Sequence, residues 1–454
     1  MNLENTKKVF ISGIGGIGVS ALARFFISKR IEVVGSDSEK SEITEALEKR
    51  GIRIYYDQKA ENVTFANDLF VYSAAVPLDN QERKKAKELG LPQKSYFEVL
   101  GEISRLYNTV AVSGTNGKST TTAMIAGILL KARKDPTVIL GSCFEKLDNN
   151  FRAGASDLFV VEACEYRAHM LLLHPQTIVL TNIEEDHLDF YKDINHIVQT
   201  FQQYVKGLRS EDNLLVMNSD DVNIRKMALP KCKIVRFGLI GGTDVWADNI
   251  RKLPGKQIFN VIYYGQNIGE FELSVPGDFN IYNALGAIAY CLTLNISIGE
   301  VKEAIREFRG IWRRFQIIKD KEITVISDYA HHPTAIRETI KGAREFLPGR
   351  RVVAVFQPHQ RDRTKKLLAE FAKSFDLADA VILSEIYDVA GREQEIAISS
   401  NDLAGIMKKE KPSKQIFFVK DLNETKEKIK EIVKDEDIVL VMGAGDIYKI
   451  VKEI

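Results

Sequence analysis

Val112-Ser113-Gly114-Thr115-Asn116-Gly117-Lys118-Ser119-Thr120-Thr121 is the stretch that decides how the rest of the chain is read. It follows the β-branched run Thr109-Val110-Ala111-Val112 and leads into a helical period, Ala123 to Lys131, which places it between a strand and a helix. In that setting backbone N–H groups cradle phosphates at a helix N-terminus, a lysine reaches the terminal phosphates of ATP, and a hydroxyl ligates Mg2+. Gly114, Thr115, Asn116, Gly117, Lys118, Ser119 and Thr120 are therefore candidate ATP contacts. The loop departs from the regular Walker A form, since Val112 stands where that form has its first glycine. A glycine turn without a ligand is the plain alternative, and Gly-Lys-Ser directly after a strand makes it the weaker one.

Toward the N-terminus a second loop of the same kind, Gly13-Ile14-Gly15-Gly16-Ile17-Gly18, follows the strand run Lys8-Val9-Phe10-Ile11. Its glycines permit a tight turn and close approach of backbone to a diphosphate, and Asp37 follows the next strand where a Rossmann domain holds ribose hydroxyls. The motif specifies a nucleotide diphosphate without saying which one, so NAD stays open at this point. Toward the C-terminus a third set of strands follows: Thr324-Val325-Ile326, Arg351 to Val355, Ala380 to Leu383 and Ile438 to Val441. Short β-branched runs alternating with helical periods predict an α/β chain with largely parallel sheets. Three strand clusters in 454 residues, at about 150 residues per domain, predict three domains: 1–106, 107–311 and 312–454.

Composition sets the class. Lys plus Arg is 63 against 62 for Asp plus Glu, a net charge of +1, which argues against a nucleic-acid partner. A hydrophobic fraction of 45% with 28% charged residues is that of a chain with ample core. No apolar run approaches the ~20 residues of a membrane span, and no signal-peptide core follows Met1, so no membrane association and a cytoplasmic location are expected. Cys143, Cys164, Cys232 and Cys291 lie far apart without metal-ligand spacing. Glu162 interrupts an apolar strand, where an unpartnered charge would be expensive, so a cation or metal is expected beside it. His187 sits in an acidic stretch, Glu184 to Asp189, after a strand end, and is a candidate metal ligand; Arg313-Arg314 reads as a solvated pair.

Gly114-Thr115-Asn116-Gly117-Lys118-Ser119 resembles the ATP loop of the Mur ligase family, ATP-dependent amide-bond formers. Gly13 to Gly18 with Gly35-Ser36-Asp37, Tyr72 to Val76 with Asn80-Gln81-Glu82, Thr181 to Asp189, Gly310 to Phe315, Asp328 to Thr334 and Phe356 to His359 are similar to further segments of that family, in order and along nearly the whole chain. They are most similar to the member that joins L-alanine to the carboxylate of UDP-N-acetylmuramate through an acyl phosphate.

The resemblance implies a Rossmann-like UDP-sugar domain, a central P-loop ATPase-type domain and a Rossmann-like C-terminal domain for the amino acid. It implies that Gly13, Gly15, Gly16, Ile17, Gly18, Asp37, Ser73 and Asn80 hold the UDP-sugar. ATP falls to the loop with Asn280, Asn283, Arg314 and Asp328, and Mg2+ to Ser119, Glu162 and His187. Tyr329, His331, His359 and Arg363 are implied to shape the amino-acid pocket, and Lys118, Glu162, His187 and Arg314 to be catalytic. Two departures stand out. The acidic segment reads Glu162-Ala163-Cys164-Glu165-Tyr166, and Gln360 stands where the family has Arg, with Arg361 beside it as a stand-in. The open alternatives are a relative that attaches a preformed peptide to the same sugar nucleotide, an NAD-dependent oxidoreductase, and a nucleotide-binding protein without chemistry.

Overall fold

The computed structural model describes residues 5–388 and 397–454. The N-terminal sheet is five-stranded and parallel, in the order Arg53–Tyr55, Glu32–Ser36, Lys8–Ser12, Leu69–Tyr72, Gln93–Ser95. Strand order reverses at Lys8–Ser12, so the loop Gly13–Gly18 leaves the sheet where a crevice opens beyond the strand ends. Helices cover both faces, and their starts are written in the sequence. Ser41 and Ser95 each form a capping box, with Thr44 and Glu98.

The central sheet has ten strands, in the order Gln266–Leu273, Lys256–Tyr263, Val245–Leu253, Lys233–Gly238, Leu214–Asn218, Thr177–Leu180, Asn108–Ser113, Leu158–Ala163, Thr137–Ile139, Phe151–Arg152. Its middle strands are continuous apolar runs because helices bury both faces, as parallel sheets require. The loop Gly114–Gly117 leaves Asn108–Ser113 between Thr177–Leu180 and Leu158–Ala163, so residues after those two strands flank it.

The C-terminal sheet runs Gln316–Asp320, Thr324–Asp328, Ile438–Met442, Val352–Phe356, Ala380–Ser384, Gln415–Val419; only the first strand is antiparallel. Its four inner strands are buried throughout.

The chain is mixed α/β with three sheets. It forms two compact units, one of Met1–Asp248, Val261–Gly269 and Tyr282–Ile305, the other of Asn249–Asn260, Glu270–Ile281 and Arg306–Ile454. Among the described residues no helix is long and apolar enough to cross a membrane, and the four cysteines are free.

Candidate active site

The helix after the central loop begins at Lys118 itself, with Gly117 as its N-cap at φ 82. First-turn N–H groups of a helix have no partner within it, so Lys118, Ser119 and Thr120 present donors to an anion. The loop is fixed from the neighbouring strand end. Thr115 and Asn116 donate their N–H groups to the carbonyl (2.9 Å) and side chain (2.8 Å) of Asn182. Thr181 donates its hydroxyl to the Asn116 carbonyl at 2.6 Å, and Asn116 donates its amide to Glu184 at 3.2 Å. Gly114 is at φ 141, and a Cβ there would run into the Thr181 hydroxyl. Asn283, implied to lie at the adenine, accepts from the Thr121 hydroxyl (3.3 Å) and packs against Gly117, so it also braces the loop.

Two carboxylates face the two chemical residues of the loop. Glu162 accepts the Ser119 hydroxyl at 3.0 Å with one oxygen and the Gly141 N–H at 2.6 Å with the other. Glu165, 5% exposed, lies 2.8 Å from the Lys118 ammonium through one oxygen and 3.5 Å from His187 Nε2 through the other. Lys118 also donates to the Gly114 and Thr115 carbonyls, at 2.7 and 3.0 Å. Burial, the largest single influence, lowers the Lys118 pKa, but Glu165, Cys164 and Glu162 together outweigh it and hold the ammonium above its ordinary range. Burial works equally against the Glu165 carboxylate, and Lys118, then His187, holds its pKa below the usual range. Burial pushes the Cys164 thiol up to about 12, with Glu165 adding to it, so this departure puts a neutral thiol in the site.

His187 was implied to share a metal with Ser119 and Glu162. The structure pairs Ser119 with Glu162 and sets His187 against Glu165, Asp186 and the Tyr166 ring, 4.7 Å between centroids. A hard-oxygen pair at the head of this helix fits Mg2+; among the described residues no group of three or more His, Cys, Asp or Glu is arranged around one point. His187 (φ 54), Arg167 (φ 50) and Ala168 (φ 58) all hold left-handed backbone. Such conformations cost about 1–3 kcal/mol each and persist where the surroundings impose them.

The N-terminal loop is built differently. Gly13 and Ile14 donate their N–H groups to the Ser36 carbonyl at 2.8 and 3.0 Å, and Gly15 donates to Asp37 at 2.7 Å. Ser73 lies under Gly13, where a Cβ would come within 2.8 Å of it, and the Tyr96 ring lies 2.9 Å from a Cβ at Gly18. Gly16 caps the helix that begins at Ile17. Asn80 caps the helix Gln81–Glu88 through its carbonyl oxygen, and its amide, the group left to turn toward a ligand, donates to Gln58 at 3.5 Å. Glu82, which the sequence marks only as part of the family-like segment Asn80-Gln81-Glu82, is fully buried and accepts from Ser12 (2.7 Å), Ser36 (2.6 Å) and Asn62 (3.1 Å), and so ties together the strand ends beneath the loop. A run of rings joins the two loops: Tyr96 on Phe97, Phe97 stacked 3.7 Å from His169, His169 edge-on to Tyr166, and Tyr166 on His187.

In the second unit Asp328 is buried, and both its oxygens accept backbone N–H groups, from Phe315 and Ala330, at 2.7 Å each. Burial raises its pKa against the opposing pull of Arg314. Arg314 lies over the Tyr329 ring at 4.8 Å. His331 bonds the Tyr329 carbonyl through Nδ1 at 3.0 Å and lies 6.4 Å, ring to ring, from His359, which stacks on Tyr387. Arg363 lies in the helix Arg361–Lys366 that follows. Arg361, the stand-in for the arginine that Gln360 replaces, has its guanidinium on Asp388 at 2.9–3.0 Å and donates another N–H to the Ile398 carbonyl. Asn280 donates its amide to the Pro276 carbonyl at 2.7 Å and is buried. Arg313, read as solvated, is 6% exposed, with the rings of Trp312, Tyr329 and Tyr448 around it at 4.4–5.5 Å. It also donates to the Gly443 and Gly445 carbonyls. Only its burial could have revealed this, and a polar pair in sequence carries no signal of burial.

Three family models match in order. The Mur ligase family catalytic domain matches residues 8–108, the Mur ligase middle domain 112–291, and the Mur ligase glutamate ligase domain 313–445. A UDP-N-acetylmuramate--L-alanine ligase of Caldanaerobacter subterraneus subsp. tengcongensis is 41% identical over 99% of this chain and 97% of its own. The chain belongs to the Mur ligase family. Among solved structures, the UDP-N-acetylmuramate-alanine ligase MurC of Thermotoga maritima aligns at TM-score 0.83 and 31% identity over 99% of this chain and 98% of its own. The murein peptide ligase of Psychrobacter arcticus aligns at 0.74 and 26%, over 98% of each. Membership in this ligase family replaces the oxidoreductase reading of Gly13–Gly18 with Asp37.

Proposed function

We propose that this Mur ligase joins L-alanine to UDP-N-acetylmuramate with ATP as the activating substrate, in peptidoglycan precursor synthesis. The observation that carries the chemistry is Lys118 and Ser119 at a helix start, facing Glu165 and Glu162. The choice of acceptor is supported by the 41% identity to an L-alanine ligase, against 26% to the peptide ligase structure.

A carboxylate cannot expel oxide, so its oxygen first attacks the γ-phosphorus of ATP, which gives an acyl phosphate and ADP. The alanine amine then attacks the acyl carbon; the tetrahedral intermediate collapses, phosphate leaves, and the amine loses a proton. The protein's part is positioning and charge neutralisation. Lys118 neutralises the γ-phosphoryl oxygens, and the N–H groups of Gly117 to Thr120 hold the phosphate chain. Ser119 and Glu162, with His187 toward the acceptor, would hold Mg2+, which supplies Lewis-acid charge neutralisation when bound. Gly13 to Gly18, Asp37, Ser73 and the Asn80 amide hold the sugar nucleotide, with Gly15 N–H and Asp37 already in register. Arg314 neutralises phosphate, Asp328 orders the loop beside Arg314, and Tyr329, His331, His359 and Arg363 form the alanine pocket. This division assigns residues 1–106 to the UDP-sugar, 107–311 to ATP and 312–454 to the amino acid, in a cytoplasmic enzyme.

The test is phosphate release from ATP and Mg2+ with UDP-N-acetylmuramate, repeated with L-alanine and with alanine-led peptides. Release that requires both the sugar nucleotide and L-alanine is expected. Release supported by peptides alone would transfer the assignment to the peptide-adding relative, and no release with any acceptor would leave a binding protein.

A further inference from the structure

The Lys118 ammonium donates to the Gly114 and Thr115 carbonyls and lies 2.8 Å from Glu165 in an ion pair, so its three near polar neighbours all belong to the protein. A phosphate that enters the loop must displace one of them. The two carbonyls belong to the loop itself, which Thr181, Asn182 and Glu184 hold in place. Glu165 is different. Its backbone is anchored, since its carbonyl accepts from the Ala168 N–H at 2.9 Å and from the Tyr191 hydroxyl. Its side chain, however, already has a second partner at 3.5 Å in His187. The carboxylate can therefore leave Lys118 without being stranded, whereas the carbonyls cannot.

Resting on the ligase reading above, we propose that Glu165 is an exchangeable counter-ion. It neutralises Lys118 while the loop is empty and passes to His187 when the γ-phosphate of ATP takes its place. Arrival of the nucleotide is thereby linked to the orientation of the His187 imidazole on the acceptor side. Glu165 acts through Lys118 and His187 and touches no reacting atom, so it is a positioning residue. The strained backbone at Arg167, Ala168 and His187 fits this role, since it holds the two ends of the exchange at a fixed separation while one side chain moves.

The signature is a split of opposite sign. Glu165→Gln removes a charge that competes with phosphate for Lys118, so ATP should bind about threefold to tenfold more tightly. Turnover should fall at least about tenfold, because His187 loses its charged anchor. A residue that merely held the fold together would weaken both. ATP affinity is measured by calorimetry on the whole chain without sugar nucleotide or amino acid, and turnover by phosphate release with all substrates. UDP-N-acetylmuramate binding serves as the check on folding. Glu165→Asp, which draws the charge back by one methylene, should shift ATP affinity in the same direction by less, and it carries the test should the Gln variant fail to fold. Unchanged or weaker ATP binding in the folded variants would overturn the proposal. The calorimetry needs only ATP, so absence of L-alanine-dependent release in the wild type would strike the assigned reaction and leave this measurement standing.

Discussion

Two loops in one unit share a strand–glycine–helix construction and differ in what faces them. At Gly13–Gly18 the helix opens with Ile17 and Gly18, and its first turn contains neither acid nor base. The carboxylate there, Asp37, accepts backbone N–H groups through both oxygens, from Gly15 on one and from Ser38 on the other. At Gly114–Gly117 the helix opens with Lys118 and Ser119, and two carboxylates meet those side chains directly. The first arrangement can grip a diphosphate and a ribose but has nothing with which to neutralise charge moving between oxygens. The second has an ammonium, a hydroxyl and two counter-charges. On the proposed assignment, one backbone device would serve binding or chemistry according to the first two helical residues.

The largest effect that would test this contrast is Lys118→Ala. Turnover should fall by about a thousandfold or more, as for loss of a main charge-stabilising group, with UDP-sugar binding near wild type by calorimetry. Equal loss of both would mean the two loops do not divide the work. Gly114→Ala comes next: its φ of 141 and the Thr181 hydroxyl leave no room for a Cβ. It should destabilise the loop by about 2 kcal/mol or more and weaken ATP binding. Gly16→Ala in the other loop meets nothing closer than 3.5 Å and should melt with the wild type; similar losses from both would remove the steric account. Asp37→Ala should weaken the UDP-sugar about tenfold to a hundredfold and leave ATP affinity alone; a selective effect on ATP would reverse the assignment.

The smallest expected effect concerns His169, in the ring stack between the loops. Burial, with Arg167 second, holds its pKa down at about 4, below the ~6.5 of an unfolded histidine. The unfolded chain therefore binds the extra proton first. The stability from a neutral His169 is fully present above pH ~6.5 and is lost as pH falls toward about 4. His169→Gln should flatten the acid side of the melting-temperature profile between those limits, and an unaltered profile would show that His169 titrates normally.

Much of this was legible in sequence because the informative residues are local. Runs such as Leu158–Val161 and Ile438–Val441 are apolar on both faces, which specifies interior parallel strands, and each glycine loop follows such a run directly. The strands Val245–Leu253 and Gln266–Leu273 left no such trace, because solvent-facing polar side chains such as Asp248, Arg251, Gln266 and Glu270 interrupt both. The Glu424 to Asp437 stretch reads as a solvated helix face. The structure places a helix at Leu422–Ile432, and buries Asp437 against Arg351 at 2.7 Å. The partition of roles among Glu162, Glu165 and His187 was equally hidden. Spacing shows that acids lie near a strand end; which one meets Lys118 and which meets Ser119 depends on backbone turns at Arg167 and Ala168 that non-glycine residues rarely adopt.

Arg313 carries a consequence for how such chains can be exchanged between relatives. It stands at the entrance to the C-terminal sheet, yet its guanidinium grips carbonyls at Gly443 and Gly445, just past the last strand. Entrance and exit of some 130 residues are thereby stitched at one point. A recombinant that crosses over between residues 313 and 443 would pair one parent's arginine with the other parent's glycine turn and Tyr448 ring. Crossovers ahead of Trp312 move the stitch as a piece, so the joint between inherited segments is expected there.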